Sequence, residues 1–147
     1  MDKNVAVLLT AVVGGMIALQ APINSLLGKR VGTFPAASVS FAIGTVVLIL
    51  LAFTVGGGFG ELGEVRSVPW YYLVGGLLGA AYVTSVLVTV RTLGAGGVTA
   101  ATISGQLTAS IVVDQLGVLG VEKQAITAPR LAGVLLLAAG TFLVVRY

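Results

Sequence analysis

The chain has 147 residues, of which 57% are hydrophobic and 9% charged, and carries a formal net charge of +3. Soluble domains carry about 25% charged residues, so a water-soluble fold of this length would lack the charges its surface needs; the chain reads as an all-α integral membrane protein of one domain. It contains no cysteine and no histidine, which excludes disulfides, thiolate metal sites and an imidazole proton shuttle, and its cations form no basic patch of the kind nucleic acid requires.

A spanning helix needs about 20 apolar residues, and five segments qualify. The run from Asn4 to Leu27 is too long for the core of a signal peptide and contains Gln20 and Asn24, so it is expected to be helix 1, over 5–27. Pro22 sits between the two amides and frees a backbone carbonyl near them. Helix 2, over 34–55, offers Ser38, Ser40 and Thr45. The longest loop, 56–66, precedes Trp70, Tyr71 and Tyr72, which stand where an interfacial aromatic belt belongs. Helix 3, over 69–90, carries Tyr82, Thr84 and Ser85 at mid-depth; Tyr82 reads as core packing, with a ring that could also stack on a cationic ligand. Arg91 reads as a snorkelling charge at the helix end. Helix 4, over 97–120, repeats Thr102, Gln106, Ser110 and Asp114 at i+4, which makes one polar stripe. Helix 5 covers 129–145. A barrel does not fit, because its strands would alternate over about 10 residues and these runs are continuous.

Three helices are expected to open on the same device. Thr33, Ser67 and Thr127 each precede a proline by two residues, so the hydroxyl can accept a first-turn N–H while the proline occupies a position that needs no donor. Gly75 with Gly79, Gly14 with Ala18, and Gly105 with Ala109 form small-xxx-small pairs that let helices approach closely in lipid.

Five spans place the termini on opposite sides. Lys3, Arg66, Lys123 and Arg130 then lie on one side and Lys29, Arg30, Arg91 and Arg146 on the other. The positive-inside rule works through a difference in Lys and Arg between sides, and four against four leaves none. One explanation is insertion in both orientations, giving an antiparallel homodimer related by an axis in the membrane plane. A parallel dimer, or pairing with a separate chain of fixed orientation, are the alternatives.

Asp114 is the only acid within a span, and an ionisable residue in hydrocarbon marks a functional site by default. Gln106 lies near the middle of helix 4, and Asp114 lies about six residues beyond the middle, ~9 Å toward the N-terminal side at 1.5 Å per residue. Gln20 and Asn24 lie toward the opposite side of helix 1. An in-plane twofold would bring those amides of a second copy to the level of Asp114. The candidate binding and coupling residues are therefore Asp114, Gln106, Gln20, Asn24, Ser110 and Tyr82. The competing explanation is a network of interhelical hydrogen bonds with no ligand, each worth about 0.6 kcal/mol in membranes.

The stretches GGMIALQAPINSLLGKRVGTFPAASVSFAIGT, GGLLGAAYV and GQLTASIVVDQLGVLG resemble the YdcZ-type, five-helix branch of the drug/metabolite transporter superfamily. The specific pieces are Gln20-Ala21-Pro22-Ile23-Asn24, Ser40-Phe41 with Gly44-Thr45, and Gly105-Gln106 followed by Asp114 and Gly117. The resemblance implies half of a ten-helix inverted-repeat transporter, working as an antiparallel dimer. The first span holds no acid, unlike that of small multidrug exporters.

These readings converge on a multi-pass transporter of the inner (plasma) membrane. It is expected to move a polar or cationic small molecule by alternating access as a dual-topology homodimer, with Asp114 open to protons and substrate in turn. Its other expected partner is membrane lipid, and no metal or cofactor is expected. A non-transporting assembly or regulatory subunit is the alternative. Enzymatic chemistry is not expected, because no nucleophile–base pair, metal cluster or phosphate loop is present.

Overall fold

The structure, a computed structural model, describes residues 2–147. Four α-helices follow one another: α1 (Lys3–Val31), α2 (Thr33–Thr54), α3 (Val74–Leu116) and α4 (Ala128–Arg146). Two short 3-10 turns, Leu62–Arg66 and Trp70–Leu73, lie between α2 and α3, and no strand occurs among the described residues. All four helices are long and apolar enough to cross a membrane. Continuous hydrophobicity explains this: with no polar face to turn toward water, the backbone can satisfy its own hydrogen bonds in hydrocarbon only as helix.

The expected helices 3 and 4 both fall in α3, and their bounds shift. Trp70–Leu73 winds as a 3-10 turn rather than α-helix, and α3 ends at Leu116 rather than running to 120. The element is 43 residues long but is not one regular helix. Gly94 has φ 69° and ψ 172°, a region open essentially to glycine alone, so helical geometry stops and restarts there. On length and composition, 43 residues amount to about 65 Å of helix at 1.5 Å per residue, twice a hydrocarbon core of about 30 Å.

The hydroxyl caps are not formed. The N-cap of α2 is Gly32, with Thr33 already inside the helix. Ser67 closes the first 3-10 turn, its hydroxyl donating to the Glu64 carbonyl at 2.7 Å. Thr127 does hold the N-cap of α4, with proline in the first turn, but its side chain makes no capping bond. Proline has already removed one of the donors a cap would satisfy, so the hydroxyl has less to gain there.

Two compact units are distinguishable: Leu19–Arg91, and the residues up to Ala18 together with Thr92–Tyr147. In the first, the C-terminal half of α1, all of α2 and the start of α3 meet on Ala36, Ala37, Val83 and Leu87, with Leu27 and Tyr82 packed against them. The alanines keep the helices close enough for Leu87 to be 1% exposed. Leu87→Ala is expected to destabilise by about 2 kcal/mol, at the low end of core truncations because lipid removes part of the transfer contribution. Thermal unfolding in detergent measures it.

In the second unit α4 packs against α3 beyond Gly94. A Cβ on Gly97 would stand 3.6 Å from Val145 Cγ2, and Thr141 Oγ1 donates to the Ala100 carbonyl at 3.0 Å. That bond uses the only hydroxyl proton of Thr141, so Ser104 is the donor in their 2.6 Å contact.

The small-residue pairs divide. Gly79 lies 3.6 Å, at its would-be Cβ, from Phe41, whereas Gly14, Gly75 and Gly105 meet nothing within 4 Å. Among the described residues, nothing packs closely at those three.

Candidate functional site

Each unit gathers some of the polar residues singled out in the sequence. In the unit Leu19–Arg91, Asn24 is 7% exposed and its Nδ2 donates to Ser40 Oγ at 3.1 Å. The bond joins α1 to α2. Next to it a cavity of about 220 Å³ is lined by Gln20, Ser40, Phe41, Gly44, Thr45 and Val83, among others. Gln20 stands one turn before Asn24 on α1, and Thr45 stands five residues beyond Ser40 on α2, which sets an amide, two hydroxyls and an aromatic ring around one space. None of these groups is charged. Tyr82 is not among the cavity residues and packs on the Ala36–Leu87 cluster.

The second assembly surrounds Asp114. Arg130 Nη1 donates to Asp114 Oδ2 at 3.3 Å, with the two side chains 33% and 26% exposed. Arg130 Nη2 also donates to Gln124 Oε1. The Gln124 N–H donates to the Asp114 carbonyl at 2.8 Å, and the Ile126 N–H donates to Gln115 Oε1 at 2.7 Å. The connection 117–127 is therefore held against the end of α3 by two hydrogen bonds and tied to α4 by a third, while the ion pair joins α4 to α3 directly.

The pairing of Asp114 with Arg130 has a simple electrostatic cause. Asp114 lies in the last turn of α3, where carbonyls point outward and an anion is disfavoured. Arg130 lies in the first turn of α4, where N–H groups point outward and a cation is disfavoured. Each charge sits at the wrong end of its own helix, and each neutralises the other. Two opposite charges flanking one connection were the available signal for Arg130. Gln115 and Gln124 gave none, because a loop's path is not periodic.

Gln106 and Ser110, the middle of the stripe, are exposed, and so is Gln20. Among the described residues their side chains make no hydrogen bond within the chain. Thr102 turns back on its own helix, donating to the Thr99 carbonyl at 3.0 Å. The structure thus gathers Gln20 and Asn24 with Ser40 and Thr45, gathers Asp114 with Arg130, and leaves Gln106 and Ser110 without a partner in this chain.

Residues 5–143 match the family described as "Putative inner membrane exporter, YdcZ". The chain is 35% identical over 106 residues to "Inner membrane protein YdcZ" of Escherichia coli (strain K12), covering 71% of this chain and 69% of that protein. No solved structure matches it.

Proposed function

The chain belongs to the YdcZ family of inner-membrane exporters, and on that premise we propose that it transports a polar or cationic small molecule by alternating access, as a dual-topology homodimer of five-span protomers. Family membership supports a multi-pass transporter of the inner membrane. One observation carries it. Gln20, Gln106 and Ser110 are exposed on helices otherwise suited to lipid, and a polar side chain in hydrocarbon needs a protein partner or water. A second copy, inverted, supplies both: it covers the exposed amides and encloses a wet space between the copies.

Asp114 is the coupling residue in this scheme. Within one copy Arg130 already neutralises it. An incoming proton or cationic substrate must therefore displace the guanidinium, and the two cannot occupy the carboxylate together. Of the two amides proposed to meet Asp114 across the dimer, Gln20 is exposed, while Asn24 is buried and already bonded to Ser40 within its own copy. The cavity beside Gln20 receives the uncharged part of the substrate.

The test is a ligand-stabilisation screen on purified protein at two pH values, followed by flux in liposomes for each hit. The scheme expects saturable flux and an apparent affinity that falls at the lower pH in the wild type, and pH-independent binding in Asp114→Asn. Wild-type affinity that ignores pH and is unchanged by Asp114→Asn contradicts it. Stabilisation without flux favours a non-transporting subunit.

A further inference from the structure

We propose that Lys29, Arg30 and Arg91 form a binding site for the phosphodiester headgroup of an anionic phospholipid. Arg91 is not merely extended toward water. Its Nε donates to Ser25 Oγ at 3.3 Å, and Ser25 is 5% exposed. Gly28 makes that approach possible: a Cβ there would stand 3.0 Å from Arg91 Nη2 and 3.0 Å from Leu87 Cδ2. The guanidinium therefore lies on the last turns of α1, fixed through Nε. Its two terminal nitrogens make no hydrogen bond or ion pair among the described residues, and they keep the paired N–H donors that match phosphate oxygens.

Lys29 and Arg30 follow Gly28 directly in the last turn of α1, and both are exposed. Neither forms an ion pair among the described residues. The acids of the same unit, Glu61 and Glu64, come after the far end of α2, a 22-residue helix about 33 Å long. Three cations thus share one helix end with no ion pair to a carboxylate among the described residues. The negative end of the α1 dipole offsets only a fraction of one charge.

Position identifies the anion as lipid. α1 has 29 residues, about 43 Å of helix, so its last turn stands beyond a hydrocarbon core of about 30 Å, at the headgroup level. Apolar side chains for acyl chains flank the cations: Leu26, Val31 and Phe34 are 64%, 48% and 74% exposed. Near a membrane surface each Lys or Arg contributes roughly fivefold to binding of an anionic headgroup.

Native mass spectrometry and thermal unfolding of the purified full chain test the site, with phosphatidylglycerol, phosphatidylcholine and inorganic phosphate added separately. Phosphatidylglycerol is expected to bind and stabilise, phosphatidylcholine much less, and phosphate not at all at the same concentration. Arg91→Gln should weaken phosphatidylglycerol binding roughly fivefold and Lys29→Gln/Arg30→Gln roughly 25-fold, while Lys123→Gln leaves it unchanged. The double variant removes no intramolecular bond, so it stands even if Arg91→Gln folds poorly. Equal response to the two lipids, undiminished binding in the double variant, or the same stabilisation by phosphate would each overturn the proposal. None of these readings depends on whether the protein transports.

Discussion

Asp114→Asn is expected to reduce substrate flux in liposomes to the level of empty vesicles, and also to lower stability by about 2 kcal/mol. The stability effect follows from Arg130. Breaking a fully buried ion pair costs about 3–5 kcal/mol, because one charge is left uncompensated. A fully exposed pair contributes only about 0–1 kcal/mol. With its side chains 33% and 26% exposed, this pair falls between those limits. The double substitution Asp114→Asn/Arg130→Gln removes both charges and leaves an amide at each position, so the two side chains can still hydrogen-bond. It should recover stability to within about 0.5 kcal/mol of the wild type while flux stays absent. The two readouts separate the two roles of Asp114. If the double variant regains flux along with stability, the carboxylate only ties α3 to α4 through Arg130 and the coupling role is lost.

Gly94→Ala is the second substitution with a large expected effect. At φ 69° and ψ 172° an alanine is strained by about 1–3 kcal/mol, and the relaxed alternative is unbroken helix. An unbroken α3 would be about 65 Å long, which a bilayer of about 30 Å cannot hold as two spans. The expected outcome is a sharp fall in membrane-inserted protein, read by expression and by thermal unfolding of what remains. Gly96→Ala is the matched control. Its Cβ would meet only Val144 Cγ1 at an ordinary 3.9 Å, and alanine is the better helix former, so no loss is expected. Equal behaviour of the two variants would mean that the break at Gly94 does not matter to insertion.

The spans were legible in the sequence because lipid leaves a chain few choices: a long apolar run must satisfy its own backbone. The break between the third and fourth hydrophobic runs was also legible, as the gap between the expected spans 69–90 and 97–120, but not its place at Gly94, where the backbone angles leave the helical region. Helix starts were less so. The Thr-x-Pro and Ser-x-Pro pattern marks the neighbourhood of a start, but it does not decide whether a hydroxyl or a glycine will occupy the cap.

At the site, the types of the polar residues were legible and their partners were not. Ser40 and Asn24 were visible as polar groups in apolar runs, yet their bond depends on how closely α1 and α2 approach at Ala36 and Ala37. Arg130 was visible as a cation on the far side of a connection from Asp114, which offers a pairing but does not fix it. Its meeting with Asp114 depends on the path of 117–127, where periodicity says nothing. Arg91 shows the same limit. A snorkelling charge and a charge seated on Gly28 have the same sequence, and only the packing distinguishes them.

Transport by the proposed route requires two copies lying in opposite orientations. The chain has no cysteine, so Lys3→Cys and Tyr147→Cys can each be labelled in whole cells with a reagent that does not cross the membrane. Opposite insertion of different copies predicts partial labelling at both positions, with the remainder becoming reactive once the membrane is opened. Complete labelling at one position and none at the other would mean that every copy is inserted the same way, and the inverted dimer could not form.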